Sequence, residues 1–179
     1  MSGMRNIDAR NIGLRNIVVA DTRICSIDGE RGELIYRGYD ILDLVTHSTF
    51  EETSYLLLFG DLPTQEELSK FITDLRNNRE IPEAIYQNLK NRPITASPMD
   101  VLQSCISQLP DYDLDIHDDS REMNIKRAKM LISKIPTIVA VWDRIRNGKE
   151  IIKPSNELTN AENFLFMLFG TKPNQIGRA

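Results

Sequence analysis

The longest stretch with helical periodicity extends from about Arg121 to Asn147, and it constrains the fold more than any other feature of the sequence. Apolar residues recur through it at spacings of three and four positions, and they are Ile125, Ala128, Leu131, Ile132, Ile135, Ile138, Val139, Trp142 and Ile145. This spacing predicts a single long helix with an apolar side, which ends before Gly148. Pro136 lies inside the run and removes one backbone hydrogen bond, so we expect a kink near Ile132.

Capping boxes mark the start of further helices. In each box a threonine is followed three positions later by a glutamate, and each side chain can satisfy the backbone amide of the other residue. The pairs are Thr49 with Glu52, Thr64 with Glu67, and Thr159 with Glu162. Prolines indicate two more helix starts, which give predicted helices over 82–90 and 98–109. The sequence therefore predicts a mainly α-helical fold, with helices over about 49–170.

A β-hairpin is predicted before the helices, over about 17–39. β-branched residues are frequent there, and side chains alternate in character between positions 19 and 26. Asp28-Gly29 and Gly32 mark a reversal, because glycine tolerates positive φ at low steric cost. The preceding residues, 1–16, are polar and are predicted to form a flexible N-terminal arm.

Composition excludes several classes of protein. The chain has 41% hydrophobic and 27% charged residues, which is typical of a protein that forms a core. Its formal charge is -4 and it has no run of Lys and Arg, so no nucleic-acid partner is predicted. It has neither a signal peptide nor an apolar run long enough to span a membrane, so we expect no membrane association and a cytoplasmic location.

The acidic segment 111–119 partly resembles a calcium-binding loop. Asp111, Asp113, Asp115 and Glu122 fall at positions 1, 3, 5 and 12 of that pattern. Position 6 requires glycine for its sharp turn but is Ile116, and position 8, which is normally apolar, is Asp118. We therefore predict a solvated acidic linker between helices, with adventitious calcium binding as the alternative.

Neither histidines nor cysteines form a recognisable site. His47 and His117 belong to no metal-binding or triad signature, and both are predicted to lie on the surface. Cys25 and Cys105 are far apart and are predicted to be reduced, buried structural residues. A disulfide, a catalytic thiol or a metal site stays open as the alternative for them. No catalytic, cofactor-binding or metal-ligating residue is predicted from these patterns.

The order of several short segments resembles the citrate synthase family, most closely its shorter bacterial and archaeal members. The segments are Ile27–Ile41, Phe50–Thr64, Pro98–Leu102, Lys134–Ala140 and Ala161–Leu165. Together they extend from about Gly13 to Gly170. The family often has histidine in place of Ser97 and Asn160, but neither position is catalytic in the family.

This resemblance implies that residues 17–179 are the N-terminal portion of a large domain, from which the small domain is absent. It implies a parent enzyme that condenses acetyl-CoA with oxaloacetate to give citrate and CoA, an acyltransferase of the tricarboxylic acid cycle. The family carries its catalytic aspartate and histidines on later motifs, including a Gly-Pro-Leu-His-Gly-Gly stretch and a Gly-His-Arg stretch. None of these motifs occurs in this sequence. We therefore expect the chain alone to be inactive, with no cofactor.

The resemblance also implies a homodimer formed through helices at about 98–109 and 121–147. Ordinary packing within one chain is the alternative reading of those helices. Two further hypotheses stay open. The first is that the parent is a 2-methylcitrate synthase. The second is that the chain is a stand-alone dimerisation or interaction module of a synthase. An open reading frame that continues into the histidine motifs would exclude the second hypothesis.

Overall fold

The computed structural model describes residues 20–171 of the chain. It begins with strands β1 (Cys25–Asp28), β2 (Glu33–Tyr36) and β3 (Tyr39–Asp40). The helices are α1 (Ile41–His47), α2 (Phe50–Phe59), α3 (Gln65–Asn77), α4 (Glu83–Lys90), α5 (Pro98–Gln108), α6 (Arg121–Arg146) and α7 (Asn160–Phe169). A short 3-10 helix, Leu109–Tyr112, follows α5. The predicted mainly helical fold with an N-terminal hairpin is confirmed, whereas the predicted arm over 1–16 lies outside the described residues.

The small sheet is antiparallel, with strand order β1-β2-β3. Cys25 of β1 pairs with Tyr36 of β2, and Tyr36 also pairs with Tyr39 of β3. The hairpin was predicted over 17–39. Residues 17–19 lie outside the described residues, and residues 20–24 are not strand. The chain does not leave the sheet at Arg37-Gly38. These two residues have φ values of 50° and 93°, the positive values that a tight two-residue hairpin turn requires, so a third strand follows.

Helix α1 was not predicted from the sequence. Its N-cap is Asp40, whose carboxylate accepts a hydrogen bond from the backbone N–H of Leu42 at 2.8 Å. The helix is 7 residues long and buries only Leu44. A single capping side chain and one buried residue leave too weak a periodic pattern for detection by spacing alone.

Helix α6 forms the centre of the helical part. Helices α3, α4, α5 and α7 all pack against it. One cluster of buried side chains joins α4, α5 and α6, and its members are Ile81, Ile85, Tyr86, Leu89, Val101, Cys105, Leu109, Ile138, Val141 and Trp142. The predicted helix over 121–147 is confirmed to within one residue, with Pro136 inside it. The kink expected near Ile132 stays a prediction.

All three predicted capping boxes are formed, at the starts of α2, α3 and α7. In α7 the Glu162 carboxylate accepts hydrogen bonds from the Thr159 backbone N–H and hydroxyl group, both at 2.9 Å. These bonds favour the charged carboxylate and lower the pKa of Glu162 below its usual 4.5.

Replacing Thr159 by alanine is expected to reduce the free energy of unfolding by about 1 kcal/mol, because the N-cap acceptor is lost. The capping contribution should also depend on pH. A lowered folded-state pKa gives stability that is present above pH 4.5 and is lost as the pH falls through the folded-state value. Urea unfolding of wild type and Glu162→Gln between pH 3 and pH 6 tests this, because glutamine retains the box without the titration. Equal pH dependence in both proteins would contradict the assignment.

Candidate functional site

The residues that commonly carry chemistry are dispersed in this structure. His47 lies exposed in the last turn of α1, and His117 lies exposed in the acidic segment. Cys105 is buried in the core, where burial raises the pKa of its thiol, and Cys25 is half-buried in β1. Both cysteines are free thiols, but the burial predicted for both is confirmed only for Cys105. Within residues 20–171, no group of three or more His, Cys, Asp or Glu side chains is placed to hold a metal ion.

Segment 111–119 is exposed as predicted, with the exception of Asp113. Arg127 of α6 donates from Nε to the Asp113 carboxylate at 2.8 Å, and the side chain of Asp113 is only 11% exposed. The same guanidinium donates to the backbone carbonyls of Asp115 and Asp118. Arg127 thereby lowers the pKa of Asp113 and fixes the loop against α6. Sequence reasoning missed this contact because the arginine lies in the next element.

The most deeply buried charge in the described chain is Arg79, just after α3, which is 1% exposed. Its Nη1 donates to the backbone carbonyls of Ser155 at 2.5 Å and Leu158 at 2.9 Å. Its Nη2 donates to Asn160 Oδ1 at 2.9 Å. Burial lowers the pKa of Arg79, yet three oxygen acceptors compensate for the loss of water. The guanidinium therefore fastens the irregular segment between α6 and α7 to the end of α3.

Two neighbouring groups extend this polar cluster. Glu51 of α2 is 7% exposed and accepts a hydrogen bond from the backbone N–H of Asn160 at 3.0 Å. Thr137 of α6 donates its hydroxyl hydrogen to the Arg79 carbonyl at 2.9 Å. One polar cluster thus connects α2, α3, α6 and α7. The oxygen atoms of this cluster accept hydrogen bonds from donors of the same chain, which favours a structural role over substrate binding.

A cleft of about 650 Å³ lies between α2, α3 and the start of α6. Its aromatic wall consists of Tyr55, Phe59 and Phe71, whose rings stack or meet edge to face. Lys129 and Asp74 also line the cleft and form an ion pair at 2.5 Å. Cations and carboxylates are mixed along the rest of the lining, which includes Lys70, Arg121, Lys126, Glu67 and Glu122, so the cleft has no concentrated charge of one sign.

One face of α6 is the best candidate for contact with another molecule. Ala128, Ile132, Ile135 and Val139 are apolar and only partly buried, and they recur at spacings of four, three and four positions. This spacing places them on one face of the helix. At its C-terminal end the face continues into a groove of about 190 Å³ between α5 and α6, lined by Leu102, Val139 and Trp142 among others. The predicted dimer helices therefore do present a partly exposed apolar surface.

Comparison with known proteins assigns this fold to a family. Residues 13–178 match the family described as "Citrate synthase, C-terminal domain". The citrate synthase of Haloferax volcanii is 37% identical over 168 residues, which are 92% of this chain and 44% of that protein. The 2-methylcitrate synthase 1 of Corynebacterium glutamicum is 35% identical over 167 residues, which are 93% of this chain and 44% of that protein.

Solved structures show the same fold. The crystal structure of citrate synthase from Pyrobaculum aerophilum superimposes with a TM-score of 0.84 and 37% identity, over 90% of this chain and 42% of that one. The helical core and the small antiparallel sheet of this chain therefore correspond to part of the larger citrate synthase fold. The chain belongs to the citrate synthase family, and it spans less than half the length of the relatives that it matches. No helix among residues 20–171 is long and apolar enough to cross a membrane.

Proposed function

We propose that this chain is the N-terminal portion of the large domain of a citrate synthase. The full-length parent then condenses acetyl-CoA with oxaloacetate and water to give citrate and CoA, in the cytoplasm. The observation that carries this proposal is the family match over residues 13–178, together with the shared fold. The parent's substrates follow from the family, since the described residues form no recognisable site for them.

The proposed role of this portion is to build the scaffold rather than to perform the reaction. The condensation requires a base within hydrogen-bonding reach of the acetyl methyl group and a donor that stabilises the enolate oxygen. The chain contains only two histidines, and both lie at exposed positions in separate elements. Its buried cations, Arg79 and Arg144, are bound by oxygen atoms of the chain itself. We therefore expect no turnover by the chain alone.

We propose in addition that α5 and α6 form a homodimer interface. The open apolar face of α6 supports this, because apolar side chains spaced along one helix face gain stability when a second surface covers them. Packing within a longer chain is the competing explanation for the same face.

A second candidate is 2-methylcitrate synthase, favoured by the 35% identity to the Corynebacterium glutamicum protein. The two activities differ in the acyl group, so kcat/KM of the full-length protein with acetyl-CoA and with propionyl-CoA distinguishes them. A clear preference for acetyl-CoA supports the main proposal, and a clear preference for propionyl-CoA replaces it. Failure of both acyl-CoAs to react with oxaloacetate would overturn the enzymatic proposal as a whole.

A further inference from the structure

A cavity of about 340 Å³ lies between the end of α3, the start of α4, the short 3-10 helix and α6. Its apolar lining residues are Pro82, Leu109, Leu114 and Met130. Four charged residues of the lining are joined in two ion pairs, Arg127 with Asp113 and Lys126 with Asp115. Because these charges are already paired, the cavity suits a small uncharged molecule better than an ion.

Lys134 of α6 is the one charged residue of this lining that forms no ion pair with another described residue. It is half-buried, and its Nζ donates a hydrogen bond to the backbone carbonyl of Glu80. The carboxylate of Glu80 is bound instead by Lys153, at 2.5 Å. Burial lowers the pKa of Lys134 from its usual 10.5, and the charge of Glu80 opposes this only in part.

These surroundings favour a nucleophilic amine. A lysine attacks a carbonyl group only when its amine is neutral, and removal from water into an apolar pocket is one way to populate the neutral form. A neutral amine that donates one N–H to the Glu80 carbonyl keeps its lone pair on the side away from that oxygen atom. The remaining titratable groups around this amine are Tyr86 of α4, Tyr112 of the 3-10 helix, Lys153 and the two ion pairs of the lining.

We propose that Lys134 is a site of covalent imine formation with small uncharged aldehydes that enter this cavity. The Nζ lone pair attacks the carbonyl carbon, and transfer of a proton from nitrogen to oxygen gives a carbinolamine. Loss of water from the carbinolamine gives the imine, so the step requires neither an oxidant nor a reductant. This reactivity belongs to the described residues themselves and goes beyond the proposed enzymatic role.

The test is labelling of the 179-residue chain with benzaldehyde and sodium cyanoborohydride, followed by peptide mapping with mass spectrometry. The reagent reduces each imine to a stable benzylamine, so the labelling rates of all lysines are measured together. Lys149 is the internal reference, because it is exposed just after α6. We expect Lys134 to be labelled at least about fivefold faster than Lys149 at pH 7, since more of its amine is neutral. The ratio should fall towards one as the pH passes about 10.4, where ordinary lysines also lose their proton.

Met130 lies one helical turn before Lys134 and permits a matched pair of variants. Met130→Glu places a carboxylate on the same helix face, which favours the ammonium form, so labelling of Lys134 should slow about fivefold. Met130→Gln has a similar size without the charge and should retain the fast labelling. Far-ultraviolet circular dichroism verifies that both variants fold.

Labelling of Lys134 no faster than that of Lys149 overturns this inference, and so does an equal rate in the two Met130 variants. Formaldehyde separates reactivity from the fit to the cavity, because it is too small to be selected by the apolar lining. A preference for Lys134 with formaldehyde but not with benzaldehyde also overturns the assignment to this cavity. None of these outcomes bears on the citrate synthase proposal, because neither CoA nor oxaloacetate takes part in the reaction.

Discussion

Replacing Arg79 by methionine is expected to lower the free energy of unfolding by about 3 to 5 kcal/mol, the largest stability effect predicted for a single residue of this chain. The substitution leaves the carbonyl oxygens of Ser155 and Leu158 and the Asn160 side-chain oxygen without their donors. These acceptors cannot regain water unless the segment before α7 separates from α3. Urea unfolding followed by circular dichroism measures the change.

Two further variants make this result interpretable. Arg79→Lys retains the charge but lacks the planar fork that donates in two directions, so we expect a smaller but clear loss of stability. Arg31→Met removes an arginine whose side chain is 73% exposed and lies 3.7 Å from Asp28, and it should cost less than about 0.5 kcal/mol. If Arg79→Met were as mild as Arg31→Met, the polar cluster would not hold these elements together.

Replacing Ile135 by aspartate is expected to weaken the proposed self-association of the chain strongly. Ile135 lies in the middle of the open α6 face, so the change places an unpaired carboxylate at the centre of the proposed interface. We expect the dimer Kd to rise at least about 100-fold. Sedimentation equilibrium measures this, and thermal unfolding of the variant shows whether the monomer stays folded.

Ile27→Asp is the matched control for that experiment. Ile27 is 72% exposed in β1 and lies on the small sheet rather than on α6, so the same change of charge and size should leave the dimer Kd unaffected. Equal weakening of association by both variants would indicate a general effect of charge. Unchanged association of a folded Ile135→Asp chain would place the dimer interface elsewhere.

Local signals in the sequence predicted local structure well. The capping boxes at Thr49, Thr64 and Thr159 involve residues three positions apart, so their chemistry is readable without knowledge of the fold. The long period of α6 was equally informative, because its apolar positions recur over many turns. Helix α1 was missed for the opposite reason, since one buried leucine gives no period.

Contacts between distant elements were not predictable in the same way. Arg79 meets Ser155 across 76 positions, and nothing near Arg79 in the sequence distinguishes it from a surface arginine. The loop over 111–119 was predicted to be solvated because its own residues are acidic. Arg127, which neutralises Asp113, lies 14 positions away on another element. The fold was therefore largely predictable from patterns and resemblance, whereas the buried polar cluster required the structure.

The chain belongs to the citrate synthase family, and we propose that it contributes scaffold but does not perform the condensation by itself. The direct measurement is the release of CoA thiol when the purified 179-residue chain is incubated with acetyl-CoA and oxaloacetate. We predict a rate equal to that of a blank without protein, at every chain concentration. A rate well above the blank that rises in proportion to the chain and persists through repeated purification would contradict the claim.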